Sequence, residues 1–454
     1  MIAAAGRPQR NHHGFGRASA RPGGRSSFKV RGVEGWRGVA CLLVVGYHVW
    51  QNMDVRGDGI GPTGGSTDVL VAVLSLDLVV DLFFVLSGLL LFLPFAHAAL
   101  DDSRSVPARR EFLWRRVVRL FPPYLVVVAI AWSSRNFGVE TAQWVDLLEH
   151  LFLLQSFDSE RIFYTVGPAW TLSIEWVFYL SLAVLGPLVV REVRRVPDRS
   201  VRARRLLLMF ALVALVSVLY KLNVELVWQT PVTDWAWRFG PAAKADDFAI
   251  GMALAVVMVW MDGRHVPVVP SAVLALAGGY LLWTARADVT DSDSLLVMLR
   301  HPVAALGWAL VLFAVMSCAS ERPARWVDNR LFVRLSIVAY TTYLVHEPVL
   351  LALMSAGLFR TDVDWILVNL VTVTAGTLVA AWVLHRVVEE PWVDLAALQA
   401  RGGGRRDLYA HLAAPLTARA PRSPMPGDPS TLREDALVAA GHDSPVVLVS
   451  GERS

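Results

Sequence analysis

An all-α integral membrane protein, a bundle of about ten transmembrane helices with both termini cytoplasmic, is the fold this sequence predicts. Three observations predict it. Of 454 residues, 55% are hydrophobic and only 18% are charged, an apolar excess and a charge deficit relative to a soluble domain. Apolar runs recur along the chain, and about 20 such residues carry a helix across a hydrocarbon core of about 30 Å. Basic residues gather in alternate gaps between those runs rather than on one continuous patch, which is the pattern of the positive-inside rule.

The elements follow in order. Residues 1–30 are basic and Gly-rich and lack the apolar core of a signal peptide, so a disordered cytoplasmic tail is expected. Spans are expected over 36–53, 69–95, 119–134, 167–190, 206–229, 245–262, 266–285, 301–319, 334–357 and 363–388, with ends uncertain by about four residues. Trp144 to Phe157 is amphipathic and is expected to lie at the membrane surface. Residues 394–454 hold too few large apolar side chains to offset the entropy of ordering the chain, which leaves 31–393 as the membrane domain.

With the N-terminus inside, the inner loops gather eighteen basic residues and the outer loops eight. An odd number of spans would place Arg-rich loops on the wrong side. A multi-pass protein of the plasma membrane is therefore expected. The net charge of +4 and pI of 9.2 report topology and give no reason to expect a nucleic-acid partner. Cys41 and Cys318 both lie inside apolar runs, so neither a disulfide framework nor a metal site is expected.

Ionisable residues inside the apolar runs are the candidate functional groups, because each is costly in hydrocarbon. At about 1.5 Å per residue, His48 lies about 16 Å beyond Arg37, Glu175 about 12 Å beyond Gly167, and His346 about 18 Å beyond Arg334. Asp81 falls in the same middle layer of its span. Four groups on four helices thus share one expected depth. Simpler roles exist for some of them. A membrane histidine such as His346 also serves as an interhelical hydrogen-bond donor, Asp77 shares a helix face with Asp81 and meets interfacial water, and Glu347 beside Pro348 fits a kink.

Five segments together resemble the acyltransferase 3 family of multispanning membrane O-acyltransferases, which includes O-antigen acetylases and macrolide acyltransferases. "GWRGVACLLVVGYH" has its arginine, ten residues, histidine opening. "DLFFVLSGLLL", "RRVVRLFPPY", "WTLSIEWVFY" and "AYTTYLVHEP" follow in the family's order, and the resemblance runs from about residue 30 to "VVEEPW". Glu34-Gly35-Trp36-Arg37 stands where Asp-Gly-Leu-Arg is usual, and Ala339 where serine is common. The resemblance implies an acyl-CoA donor, with acetyl-CoA the expected form and no bound cofactor. It also implies a hydroxyl acceptor on a cell-surface carbohydrate, a lipid-linked glycan or a glycosylated secondary metabolite.

Acyl transfer to a hydroxyl needs a group that takes the hydroxyl proton. A histidine of near-neutral pKa suits that task, and His48 is the candidate, either as general base or as a transient acyl carrier. Glu175 is expected to orient its imidazole, as the acid of a triad does. Arg37, Arg116 and Arg119 at the inner boundary are expected to hold the donor phosphates through forked hydrogen bonds. Ser87 and Gly88 are expected to let the pantetheine arm pass close to the backbone. Glu34, Asp81, Tyr343 and His346 are the expected supporting residues. Trp144, Trp228, Trp235 and Trp237 fit an interfacial belt better than sugar stacking, because they fall at span ends. Two other classes remain. One is a proton-coupled transporter using Asp81, Glu175 and His346 as a relay; the other is a noncatalytic membrane scaffold.

Overall fold

The computed structural model describes residues 31–53, 78–137, 143–231, 233–286 and 295–400. Their regular structure is helical: α1 (Val33–Gln51), α2 (Val79–Leu100), α3 (Arg109–Asn136), α4 (Trp144–Leu151), α5 (Trp170–Val193), α6 (Arg199–Leu222), the short α7 (Trp235–Phe239), α8 (Ala245–Met261), α9 (Val268–Ala285), α10 (Leu295–Ser317), the short α11 (Arg322–Val327), α12 (Arg330–Ile337), α13 (Ala339–Ser355), α14 (Ile366–Leu384) and α15 (Glu390–Ala400). Among the described residues, seven helices are long and apolar enough to cross a membrane, and α12 with α13 makes eight if that bent pair is one span. α8, with 17 residues, is short for a span, and α1 carries Glu34, Arg37 and His48. Leu208 and Leu212 of α6, Leu276 of α9 and Val371 and Val379 of α14 are exposed, an apolar surface of the kind a bilayer covers.

Two expected spans differ in the structure. The second was placed over 69–95, but α2 begins at Val79, so Asp81 sits in its first turn rather than at mid-span; residues 69–77 lie outside those described. The ninth was expected as one helix over 334–357. It is two, α12 and α13, meeting at 73°. The break at Val338 leaves His346 only seven residues into α13, about 10 Å along that axis. The helical rise had been counted through a corner.

Helix α2 is the buried centre of the bundle and packs closely on α8. A Cβ on Gly88 would stand 2.4 Å from the carbonyl oxygen of Phe248, and one on Gly251 would stand 2.2 Å from that of Val85. These small residues bring two backbones together, as in other closely packed membrane helices. Gly88 is thus filled by α8, which removes the expected passage for a pantetheine arm at that point.

The loops expected on the inner side are tied to one another. Arg194 donates to the carbonyls of Ala98 at 2.7 Å and Arg104 at 2.6 Å. Arg202 grips both oxygens of Asp102 at 2.8 and 3.1 Å, and that fork holds the Asp102 carboxyl below its ordinary pKa. Arg199 donates to the carbonyl of Val259, and Val266 pairs with Cys318 in an isolated bridge. Asp328 accepts from the amides of Gly32 at 2.8 Å and Gly35 at 3.1 Å, satisfying donors that a helix start leaves open.

α4 turns its polar face inward. Asp146 and His150, one turn apart, are fully buried, whereas Trp144, Val145 and Leu148 are exposed. Its apolar face therefore points away from the protein, consistent with the amphipathic reading. α15 runs to Ala400, beyond the expected end of the membrane domain at 393. Residues 1–30 and 401–454, the bulk of the two expected tails, lie outside the described residues.

Candidate active site

Helix periodicity explains the first motif. Arg37 and His48 are eleven residues apart on α1, about three turns, so both side chains leave nearly the same face. At one end of that face the His48 ring lies 4.8 Å, centroid to centroid, from the ring of His346 on α13. His48 is half-buried and lies one turn before the exposed Gln51. His346 is 1% exposed. Its Nδ1 lies 2.5 Å from the carbonyl oxygen of Tyr343; since a carbonyl only accepts, Nδ1 carries the proton. Its Nε2 is buried and has no hydrogen-bond partner among the described residues.

Helix α5 links this pair to the Arg37 end of α1. Thr171, Glu175 and Tyr179 are spaced by four residues and form one stripe. The Thr171 hydroxyl meets the Tyr343 hydroxyl at 2.8 Å, and Tyr343 also donates to the carbonyl of Pro168 at 3.0 Å. Glu175 accepts from Ser87 Oγ at 2.5 Å and from the Tyr179 hydroxyl at 2.7 Å. Its charge acts on Arg37 and Arg116 and on Tyr343. Glu347, beside Pro348 inside α13, accepts from the amide of Gly167 at 2.7 Å. A Cβ at Gly167 would stand 2.5 Å from Glu347 Oε1, so a larger residue there would displace that carboxylate.

The rim at the Arg37 end of α1 gathers Arg37, Arg116 and Arg119. Arg37 feels the charges of Arg119, Glu389, Glu175 and Glu34. Arg116 lies over the Phe112 ring, 4.8 Å from its centroid. Arg119 pairs with Glu389 at 3.8 Å and keeps 44% of its side chain exposed. Glu389 is oriented by His385 Nδ1 at 2.8 Å, across a π-helical segment, His385–Glu389; such segments often occur at functional sites. Arg115 stands apart in a surface pair with Glu111.

Three expected placements are corrected. Glu175 does not orient His48: its hydrogen bonds go to Ser87 and Tyr179, and the ring beside His48 belongs to His346. Ser87, expected at the donor, is engaged by Glu175. Like His48, which lies in the last turn of α1, Asp81 is at a helix end rather than mid-span. It is fully buried in an ion-pair network, with Lys244 at 3.0 Å and His301 Nδ1 at 3.0 Å; Lys244 also faces Asp247 at 3.4 Å, and Lys221 pairs with Asp246 at 2.6 Å. The ion-pair partners of Asp81 are thus Lys244 and His301 rather than Glu175 or His346. A groove of about 390 Å³ among α6, α8 and α10, lined by Leu207, Phe210, Ala253, Leu306 and Phe313, contains none of these groups.

Sequence reading missed Lys244, Asp247 and His301, although Lys244 and Asp247, at the start of an apolar run, were visible signals. It also missed Thr171 and Tyr179, which lie inside a quoted motif at helical spacing from Glu175. Among the described residues, no group of three or more His, Cys, Asp or Glu side chains is arranged to hold a metal ion.

Paired imidazoles at one end of a single α1 face and a cluster of guanidiniums at the other thus sit within a helical protein of several candidate spans. The acyltransferase 3 family model, described as an acyltransferase domain, matches residues 30–386, most of the chain, and the protein belongs to that family. It is an acyltransferase. Neither a search of curated proteins nor one of solved structures found a match.

Proposed function

We propose that this membrane acyltransferase moves an acyl group, acetyl in the expected case, from acyl-CoA to a hydroxyl of a carbohydrate or glycosylated acceptor such as a cell-surface glycan. The observation that carries the reading is the face of α1 that bears both Arg37 and His48. Arg37, Arg116 and Arg119 supply the positive charge that phosphates of a CoA head group would pair with. About 16 Å along α1, His48 and His346 supply the imidazoles that proton transfer or transient acylation requires. Glu175, between the two ends, restrains Ser87 and Tyr179 and balances Arg37 and Arg116; its proposed part is to set the rim rather than to touch His48.

In this reading ten helices span the plasma membrane with both termini in the cytoplasm, and the rim faces the compartment where acyl-CoA is made. The ties among the inner loops support that alternation, since each joins helix ends that ten spans would bring to one face. Purified protein in proteoliposomes, given acetyl-CoA, is expected to release free CoA when a glycoside acceptor is added. Deletion of the gene, followed by mass spectrometry of envelope glycans and secreted metabolites, identifies the acceptor by the acyl group that disappears. Unchanged spectra in both fractions together with no CoA release would exclude this function.

A further inference from the structure

We infer that His346 Nε2, and not a nitrogen of His48, is the general base that deprotonates the acceptor hydroxyl. This rests on the acyl-CoA reading above and assigns the proton within it. Three observations carry it. The tautomer of His346 is fixed by its Nδ1–H bond to the Tyr343 carbonyl, which leaves the lone pair on Nε2. That nitrogen is buried without a partner among the described residues, and an unsatisfied buried polar atom is costly enough to need an explanation. The ring lies 4.8 Å from that of His48, at the end of the α1 face that begins at Arg37.

His48 lacks those features. It is half-buried and stands one turn from the exposed Gln51 at the end of α1. A base needs a lone pair of fixed direction, sheltered from water until the acceptor arrives. His346 meets that requirement and is itself held in place: Tyr343, which supplies the carbonyl, is anchored by Thr171 and by the carbonyl of Pro168.

The step balances as follows. Nε2 takes the proton of the acceptor hydroxyl as its oxygen bonds to the thioester carbonyl carbon, and the carbonyl π pair moves onto oxygen. The tetrahedral adduct collapses with cleavage of the C–S bond. The CoA thiolate leaves and recovers the proton from the His346 imidazolium. Acyl-CoA and alcohol become ester and free CoA, and Nε2 returns unprotonated. His48 is left beside the thioester carbonyl.

A nucleophile that needs no base separates this role from a structural one. Full-length protein in proteoliposomes is given acetyl-CoA with methyl α-D-glucoside, galactoside or mannoside, or with hydroxylamine, and CoA release above the rate in protein-free liposomes is followed. His346→Asn keeps an amide N–H for the Tyr343 carbonyl but has no lone pair that takes a proton at neutral pH. Its transfer to glycosides is expected to fall by at least about 100-fold, while release with hydroxylamine stays within about threefold of wild type. Glycoside transfer within a few-fold of wild type overturns the assignment. So does an equal loss with both nucleophiles, which marks His346 as structural. Wild type that releases CoA with none of the acceptors overturns the acyl-CoA reading itself, and the base assignment with it.

Discussion

The buried charges around Lys244 and the buried imidazoles around His346 solve one physical problem in opposite ways. Both lie in a helical membrane protein, where an isolated polar group is costly. Asp81 is fully buried and bonded to Lys244 and His301, and the Lys244 ammonium also lies 5.8 and 5.7 Å from the ring centroids of Phe84 and Phe239. That network pins α2, α8 and α10 to one another. His346 is also buried, yet it spends one nitrogen on a carbonyl of its own helix and leaves the other bare. A network whose charges meet each other holds helices; a nitrogen with no partner among the described residues, beside a second imidazole, is what the proposed base requires. Burial alone does not separate structure from chemistry, but the partners do.

The comparison breaks first at Lys244. Lys244→Met leaves Asp81 and Asp247 without their cation, and breaking a buried pair in this way is expected to destabilise the protein by about 3–5 kcal/mol, read as a lower unfolding temperature in detergent. Unchanged stability with lost turnover would move that network into the catalytic machinery. Next in size is His48. His48→Asn and His48→Gln are expected to lower glycoside acylation by about tenfold, through looser positioning of the thioester rather than loss of the base, with membrane insertion intact by protease protection; a loss as large as that of His346→Asn would return the base to His48.

The rim sharpens the contrast further. Arg116→Ala with Arg119→Ala is expected to weaken acetyl-CoA binding by about tenfold, on the scale of one lost charge-assisted contact, with a shallower salt dependence measured by calorimetry. Equal affinity in wild type and the double variant would take the rim out of the donor site. The smallest effect is expected at the end of the chain. A stop codon after Ala400 removes a segment too poor in large apolar residues to build a core, so CoA release should stay within about twofold of wild type; an inserted but inactive truncation contradicts this.

Much of the fold was legible because helices are local objects. Among the described residues the apolar runs coincide with helices, seven of them long and apolar enough to span, or eight with the bent pair, and the eleven-residue interval from Arg37 to His48 already implied a shared face. What failed was distance counted along an axis. Asp81 seemed central because its span was started at residue 69, and His346 seemed 18 Å deep because nothing in "RLSIVAYTTY" announces a 73° turn. Glu175 shows another limit: helical phase puts Thr171 and Tyr179 on its face, but phase does not say that Ser87, far away in the chain, takes one of its carboxylate oxygens.

The sequence by itself determined the medium, the family and the residues worth testing, since composition, periodicity and motif order are all properties of short stretches. Only the tertiary structure decided which of those residues meet. His48 and His346 are 298 positions apart, and Asp81 is 163 from Lys244. Such pairs form because whole helices pack through small residues such as Gly88 and Gly251, and because each buried charge must find a partner in a medium without water. Those constraints act between helices, where no local pattern records them.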